Sequence, residues 1–120
     1  MRGEFMTTNK NLLTGSTAML LLKLLEDKDM YGYEMIEELD KRSNNVFSLK
    51  AGTLYPLLHS LENKELINSY IKDADSLRVR KYYSITNKGK EMLKEKKEEW
   101  TNYSIAINQV MQGGANIAAI

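Results

Sequence analysis

Side chains that can donate hydrogen bonds to a polyanion are concentrated in two short segments of the chain. The first segment contributes Lys50, Thr53, Tyr55 and His59. The second contributes Arg78, Arg80 and Lys81. Lysine and arginine contact phosphates, and threonine, tyrosine and histidine can reach phosphates or base edges. The chemistry that these residue types allow is binding of a nucleic acid.

The distribution of charge along the chain favours the same chemistry. The formal net charge is only +1. However, Glu26 to Asp40 contains seven acidic residues and one lysine, whereas Lys72 to Lys90 contains six basic residues and two acidic ones. Because phosphate binding depends on the local density of lysine and arginine, the second segment predicts a basic surface that faces a polyanion. The alternative is that both segments are ordinary solvated surface.

Residue types needed for other chemistry are scarce. The chain has no cysteine and one histidine, so disulfides, thiolate zinc sites and a cysteine nucleophile are excluded. Without a nucleophile and base pair, a glycine-rich phosphate loop or a metal cluster, we expect neither an enzyme nor a cofactor or metal. The longest unbroken apolar run, Ala18 to Leu22, is too short for a membrane span, so we expect a cytoplasmic protein.

The first half of the chain has the pattern of three helices within a single domain. Residues 1–5 precede a second methionine, Met6, and are interpreted as an expression remnant. Periodicity predicts a first helix over Asn11–Leu25 and a second from Gly32 to the polar loop at residues 43–45. A third helix is predicted over Ala51–Lys64, with Pro56 in its first turn. Its buried stripe consists of Leu54, Leu57, Leu58 and Leu61.

The second half predicts a hairpin and a long helix. Leu66–Ile71 and Arg80–Ile85 are rich in β-branched and aromatic residues, and they flank a polar hairpin tip at Lys72–Val79. Thr86 can cap a last helix that ends near Gln112, before Gly113 and Gly114. The fold class is therefore mainly α with a small two-stranded β-hairpin. We predict a winged helix-turn-helix over residues 6–86, a C-terminal dimerisation helix over residues 87–112 and a tail over residues 113–120.

Each candidate DNA contact has a structural alternative. Thr53 could help to cap its helix, and Tyr55 could pack its ring against a neighbouring element. His59 could be an ordinary surface residue. In the segment from Lys81 to Tyr83, the simplest alternative places one tyrosine in the core and its neighbours outward.

The last helix carries an apolar stripe at heptad spacing, which Lys96 interrupts. The stripe consists of Leu93, Trp100, Tyr103, Ile107 and Val110. Such a stripe on a helix that projects past a small domain is expected to be buried against a second copy of the chain. The alternative is that the helix folds back on its own domain.

Three motifs in this order resemble the PadR family of bacterial transcriptional regulators. They are MYGYEMI at Met30–Ile36, LKAGTLYPLLHSLE at Leu49–Glu62 and RKYYSITNKG at Arg80–Gly89. The resemblance covers about Leu12 to Val110, with only one helix after the hairpin, as in compact members of the family. It implies a dimeric winged-helix repressor that binds double-stranded DNA and dimerises through its last helix.

Two positions depart from the family pattern. Glu65 occupies the position at which the family usually has a glycine, so the third helix lacks the easy left-handed cap that glycine provides. The wing at residues 73–77 contains Asp73 and Asp75 and no glycine, whereas the family commonly has a basic wing that contains glycine.

The resemblance also suggests an effector. Trp100, the only tryptophan, could be a core residue of the dimer, or it could face its symmetry mate and bind a planar aromatic or cationic compound by stacking. A rival function from another class is a protein interaction module of the same fold that binds no DNA, which the acidic second helix favours.

Overall fold

A computed structural model describes residues 16–75 and 78–113, with the backbone alone for residues 73–75 and 78. The expression remnant, the start of the first helix at Asn11 and the tail from residue 114 lie outside the described residues. The first helix, α1, covers residues 16–27 of the described chain. The elements that follow are β1 (Met30–Tyr31), α2 (Gly32–Arg42), α3 (Ala51–Asn63), β2 (Ile67–Asp75), β3 (Arg78–Ile85) and α4 (Asn87–Met111).

One core joins all these elements. The apolar residues of α1 meet those of α2, the leucine stripe of α3 and the base of the sheet. The buried side chains include Leu21, Leu22, Leu25, Met35, Leu39, Leu54, Leu58, Leu61, Ile67, Tyr83 and Leu93. Leu57 is partly buried against this core. The predicted stripe of α3 is therefore the face that packs, and the opposite face of α3 is left to solvent.

The sheet has three antiparallel strands in the order β1, β3, β2. The fold class is as predicted, but β1 is an additional strand, in which Met30 pairs with Tyr83 and Tyr31 with Tyr82. Two residues are too few to show alternation, so β1 exists only through its pairing with β3. β2 and β3 also extend into the predicted polar tip, with a register shift between Asp73 and Asp75.

Pro56 is not in the first turn of α3, contrary to the prediction. It is the sixth residue of the helix, and the N-cap is Lys50. Proline at this position lacks the N–H that would bond the carbonyl of Gly52. Gly52 and Pro56 are both exposed, so that carbonyl is on the side of the helix that water can reach.

The end of α3 adopts a left-handed conformation although it lacks glycine. Glu65 has a φ of 62°. Its N–H donates to the carbonyl of Glu62 at 2.9 Å, and the N–H of Leu66 donates to the carbonyl of Leu61 at 3.0 Å. This pair of bonds is a Schellman motif, in which the buried Leu66 supplies the usual apolar contact. The chain therefore adopts the turn that glycine favours, with a glutamate that pays a steric cost there.

Thr86 caps α4 as predicted and also ties the helix to the sheet. Its Oγ1 accepts from the N–H of Gly89 at 3.0 Å and donates to the carbonyl of Glu65 at 2.8 Å. The Thr86 N–H donates to the carbonyl of Leu66 at 3.1 Å. A Cβ on Gly89 would lie 2.7 Å from the Ile85 side chain, so the close approach needs glycine. We call this contact among the end of α3, the end of β3 and the start of α4 the α4 joint.

The long α4 helix has two different halves. Leu93 is 1% exposed and belongs to the core of its own chain. It therefore lies apart from the other four residues of the predicted interface stripe, since a side chain buried inside one protomer is unavailable to another. From Trp100 onward the apolar residues are exposed. No helix in the described residues is long and apolar enough to cross a membrane.

Candidate nucleic-acid interface

The solvent face of α3 presents most of the polar groups that the sequence singles out. Lys50 at the N-cap, Thr53 in the first turn and His59 are all exposed. The N-cap residue of α3 is Lys50, whose side chain makes no capping hydrogen bond. Thr53 is the third residue of the helix and therefore not its N-cap. A helix that exposes one face along its first turns can present that face to a major groove.

Tyr55 combines exposure with packing. Its side chain is 47% exposed. At the same time its ring covers the start of α2, because a Cβ on Gly32 would lie 2.7 Å from the Tyr55 Cζ. Gly32 therefore makes room for the tyrosine ring, and this contact holds α3 at the N-terminus of α2. The packing alternative applies to one side of the ring, and the rest of the ring faces solvent.

Sequence reasoning overlooked three exposed residues of the same helix. A turn of 100° per residue places Gly52, Pro56 and Asn63 with His59 on the side opposite the leucine stripe. All are exposed. Helical spacing is the signal that identifies them, although glycine and proline carry no side-chain hydrogen-bond donor. Asn63 has an amide that can pair with a base edge.

The predicted wing residues lie on two different faces of the sheet. Met30 and Tyr83 point into the core, so their neighbours Tyr31 and Tyr82 point to the other face. Arg80 shares the face of Tyr82, and its guanidinium carbon lies 4.3 Å from the centre of the Tyr31 ring. Lys81 shares the face of Tyr83 and lies 5.6 Å from the centre of that ring. Arg78 pairs with Asp75 in the backbone register, and its side chain is outside the described part of the structure.

Tyr83 is the one tyrosine of this segment in the core. Burial raises its pKa, and the nearby Tyr55 and Glu62 raise it further. Because Tyr55 and Glu62 both belong to α3, the Tyr83 face of the sheet is the one that faces α3. Glu62 also accepts a hydrogen bond from Ser69 of β2. This hydrogen bond ties β2 to α3.

The acidic segment is partly neutralised inside the chain. Arg42 bonds Asp27 at the end of α1 and Glu38 in α2, each at 2.8 Å. The hydrogen bond from Arg42 is the main cause that lowers the pKa of both carboxyl groups. Lys28 pairs with Glu34 at 2.8 Å. Three of the seven acidic residues are thereby paired, and the pair of Arg42 with Asp27 links α1 to α2.

The distal half of α4 exposes a large apolar surface. Trp100 is 52% exposed and Val110 is 77% exposed, with Tyr103 and Ile107 between them. Beside Trp100 an open groove of about 270 Å³ separates α4 from the start of α1. Its lining consists of Ser16, Met19, Lys96, Glu99, Trp100 and Tyr103. Among the described residues, no cluster of three potential ligands could hold a metal ion.

The class of winged-helix proteins is defined by three helices and a sheet with a projecting hairpin, in which the third helix has one exposed face. The family model for the PadR-like transcriptional regulators matches residues 21–95. The chain belongs to the PadR-like family of transcriptional regulators.

Individual proteins support this assignment. An uncharacterised protein of Lysinibacillus sphaericus is 39% identical over 103 residues, which is 86% of this chain and 94% of that protein. A PadR family transcription regulator of Clostridium difficile is 40% identical, with a TM-score of 0.69 over 80% of this chain and 98% of that one. The structure of Bacillus subtilis PadR in complex with operator DNA shares the fold at 23% identity. Its TM-score is 0.61 over 66% of this chain and 44% of that one.

Proposed function

We propose that the chain is a DNA-binding repressor that acts as a homodimer on a pseudo-palindromic operator in the bacterial cytoplasm. α3 enters the major groove, and the wing contacts the adjacent backbone. The observation that carries the proposal is the exposed face of α3, where Lys50, Thr53 and His59 lie free of the domain. The solved complex of B. subtilis PadR with operator DNA supports the choice of partner.

We expect the helix and the wing to contact different parts of the DNA. Base edges are accessible only to a helix in the groove, so Thr53, Tyr55 and His59 select the sequence. Arg78, Arg80 and Lys81 are in the wing, where they contact phosphates and position the protein. Lys50 lies at the N-terminus of α3, where it contacts a phosphate at the edge of the groove.

The dimer is supported by the distal half of α4. Trp100, Tyr103, Ile107 and Val110 form the interface, because an apolar face of this size is rarely left in water by a monomer. A two-fold dimer places two α3 helices on half-sites about one helical turn apart, roughly 34–36 Å. The alternative in which α4 folds back is disfavoured, since these four side chains are exposed on the described chain.

The DNA-binding proposal is tested by fluorescence anisotropy on the region upstream of the chain's own gene, at several salt concentrations. The unaltered chain is expected to bind this DNA more tightly than a scrambled duplex. His59→Ala should narrow the difference between the two duplexes. Lys81→Ala should weaken binding to both by a similar factor and reduce the salt slope by about one. Equal, salt-independent binding to both duplexes would contradict the proposal.

The regulating ligand is a planar aromatic or cationic compound that stacks on Trp100. The groove beside Trp100 supports this, because it offers two aromatic side chains at the proposed interface. Binding there changes operator affinity only if the ligand prefers one dimer geometry. Calorimetry with a panel of planar compounds tests it: Trp100→Ala should abolish binding, and Trp100→Phe should retain part of it. If Trp100→Ala leaves binding of every compound unchanged and only destabilises the dimer, Trp100 is a core residue.

The acidic second helix favours the rival function, a protein interaction module without DNA. Two of its carboxylates form ion pairs, Glu34 with Lys28 and Glu38 with Arg42. These pairs reduce the acidic surface that is available to a partner. The same anisotropy experiment separates the two functions, because the rival predicts no operator binding. Neither function involves catalysis.

A further inference from the structure

The outer face of the sheet carries a group of aromatic rings and cations, of which the proposed function uses only Arg80. We call it the tyrosine face, and it consists of Tyr31, Tyr70, Lys72, Arg80 and Tyr82. The ring centres of Tyr31 and Tyr82 are 5.5 Å apart in an edge-to-face arrangement. Those of Tyr70 and Tyr82 are 5.8 Å apart and nearly parallel. The three rings thus form one continuous row across β1, β3 and β2.

The row is fixed at its β2 end by a long-range hydrogen bond. The hydroxyl of Tyr70 donates to the Asp29 carboxylate at 2.7 Å. This bond raises the pKa of the Tyr70 hydroxyl and keeps it protonated as a donor. Asp29 immediately precedes β1, so the bond links the two outer strands of the sheet. The rings consequently have little freedom to turn.

Both cations of the face rest on these rings. The guanidinium carbon of Arg80 lies 4.3 Å from the centre of the Tyr31 ring. The Nζ of Lys72 lies 5.6 Å from the centre of the Tyr82 ring. Lys72 and Arg80 are also direct cross-strand partners. Within the described parts of the chain, none of the ion pairs involves either cation. Their charge is therefore available to an external anion.

Stacking on a ring has a specific effect on an arginine. A flexible arginine loses rotamer freedom when it binds a phosphate, and a guanidinium already held over an aromatic ring loses less. A contact between the guanidinium carbon and the ring leaves N–H groups of the guanidinium able to donate to another partner. A stacked arginine is therefore preorganised for a phosphate.

We propose that the tyrosine face is a phosphate-contacting surface of the wing and that Tyr31 is the positioning residue for Arg80. The inference rests on the proposed function, since the phosphates are those of the operator backbone. Lys81 lies on the other face of the sheet, so its contribution to DNA binding is independent of Tyr31.

A double-mutant cycle tests the inference on the intact chain. Operator affinity and salt slope are measured for Tyr31→Leu, Arg80→Ala and the double variant. Arg80→Ala should lower the salt slope by about one, as loss of one phosphate contact does. Tyr31→Leu should weaken binding about two- to fivefold, the worth of an exposed cation–π contact. In the Arg80→Ala background, Tyr31→Leu should have no further effect.

Two control variants separate positioning from a general structural role. Tyr31→Phe keeps the ring and should keep wild-type affinity, whereas a requirement for the hydroxyl would abolish binding. Tyr31→Leu combined with Lys81→Ala should give the product of the two single effects, because these residues do not touch. Thermal unfolding of each variant identifies any loss that arises from reduced folding.

The outcomes are distinguishable. Independent effects of Tyr31→Leu and Arg80→Ala would overturn the inference while leaving the proposed function intact. An unchanged salt slope in Arg80→Ala would overturn the inference and remove Arg80 from the proposed phosphate contacts, while operator binding through α3 would stand. A failure of Tyr31→Phe to retain affinity would also overturn it. If the unaltered chain shows no salt-dependent DNA binding, the proposed function fails and this inference fails with it.

Discussion

Two single residues affect how α3 packs, one through its backbone conformation and the other through the space that it leaves for a neighbouring ring. They are Glu65, which has a side chain where glycine would fit better, and Gly32, which has none where a ring must fit. Both contact α3: Glu65 lies in the turn that follows its C-terminus, and Gly32, at the start of α2, lies against Tyr55. Changes at these two positions should therefore have opposite effects on stability.

Replacing Glu65 with glycine should stabilise the fold. A left-handed residue with a β-carbon costs about 1–2 kcal/mol, part of which the greater chain entropy of glycine offsets. We expect Glu65→Gly to raise the free energy of unfolding by about 0.5–1 kcal/mol, measured by urea denaturation. Glu65→Ala retains the β-carbon and should give no such gain. A lower stability of the glycine variant would contradict the left-handed turn.

Adding a methyl group at Gly32 should destabilise the fold. The new Cβ would overlap the ring of Tyr55, and overpacking of this kind costs about 1–3 kcal/mol. The matched control is Gly52→Ala, since a Cβ there meets nothing within 4 Å and alanine favours a helix by up to about 1 kcal/mol. The midpoint temperature of thermal unfolding should therefore be lower in Gly32→Ala than in the unaltered chain, and it should not be lower in Gly52→Ala. Tyr55→Ala should restore stability to the Gly32→Ala variant.

At the scale of residues, the sequence predicted contacts between residues that are close together in the chain and did not predict the others. The Thr86 cap was predicted because the capping hydroxyl and the N–H that donates to it, on Gly89, lie three residues apart. The left-handed conformation of Glu65 was not predicted, since glutamate is not a residue type that indicates such a turn. The contact of Tyr55 with Gly32 joins residues far apart in the sequence, so only the structure could identify it.

At the scale of elements, the helices were easier to predict than the sheet. The leucine stripe of α3 repeats at helical spacing and packs as expected. β1 has two residues and is a strand only because β3 lies beside it. Alternation along β3 could have placed Arg80 and Lys81 on opposite faces from sequence alone. The stacking of Arg80 on Tyr31 could not have been found, because it depends on the pairing with β1.

Removing the Thr86 hydroxyl should loosen the α4 joint. Thr86→Ala leaves the Gly89 N–H without its side-chain acceptor and removes a donor to the Glu65 carbonyl. Loss of such a cap costs about 1–2 kcal/mol. Thr86→Ser keeps the hydroxyl and should retain most of the stability. The measurement is urea denaturation, and equal losses in the two variants would show that the methyl group, not the hydroxyl, matters.

The link between α1 and α2 should weaken in acid. Arg42 lowers the pKa of Asp27 and Glu38 in the folded chain. Their contribution is therefore present above the unfolded values, about 3.9 and 4.3, and is lost as the pH falls through the lowered folded values. Melting temperatures of Arg42→Gln and the unaltered chain should differ at pH 7 and converge near pH 3. Lys41→Gln, one position earlier in α2, is the control and should show a smaller difference.

At the scale of the whole molecule, the elongated shape follows from α4. The chain measures 64 × 35 × 24 Å, and the distal part of α4 carries apolar side chains in solvent. From Trp100 onward the residues at heptad spacing are exposed on this chain, so the predicted interface there stays a prediction. The heptad spacing was misleading for Leu93, because the same spacing continues into the part of α4 that packs on its own domain.

A charge in the middle of the exposed stripe should separate the protomers. The unaltered chain is expected to sediment as a dimer at micromolar concentration, and Ile107→Glu as a monomer, because a buried unpaired carboxylate is costly. Asn108→Glu places the same charge on the adjacent residue, off the stripe, and should leave the dimer intact. A monomeric unaltered chain would contradict the proposed assembly.

The α4 joint makes the last helix a lever arm. The 25 residues of α4 span about 37 Å, and the helix is clamped at its base by Thr86 and Gly89. Over that length a rotation of about 5° displaces the far end by about 3.2 Å, which is close to the rise of one base pair, about 3.4 Å. In the proposed dimer, whose protomers meet at the distal end of α4, a rotation of this size at the α4 joint would change the spacing of the two α3 helices by about one base pair. The hydrogen bonds of the Thr86 hydroxyl would then control how far the proposed ligand at Trp100 could shift α3 on the DNA.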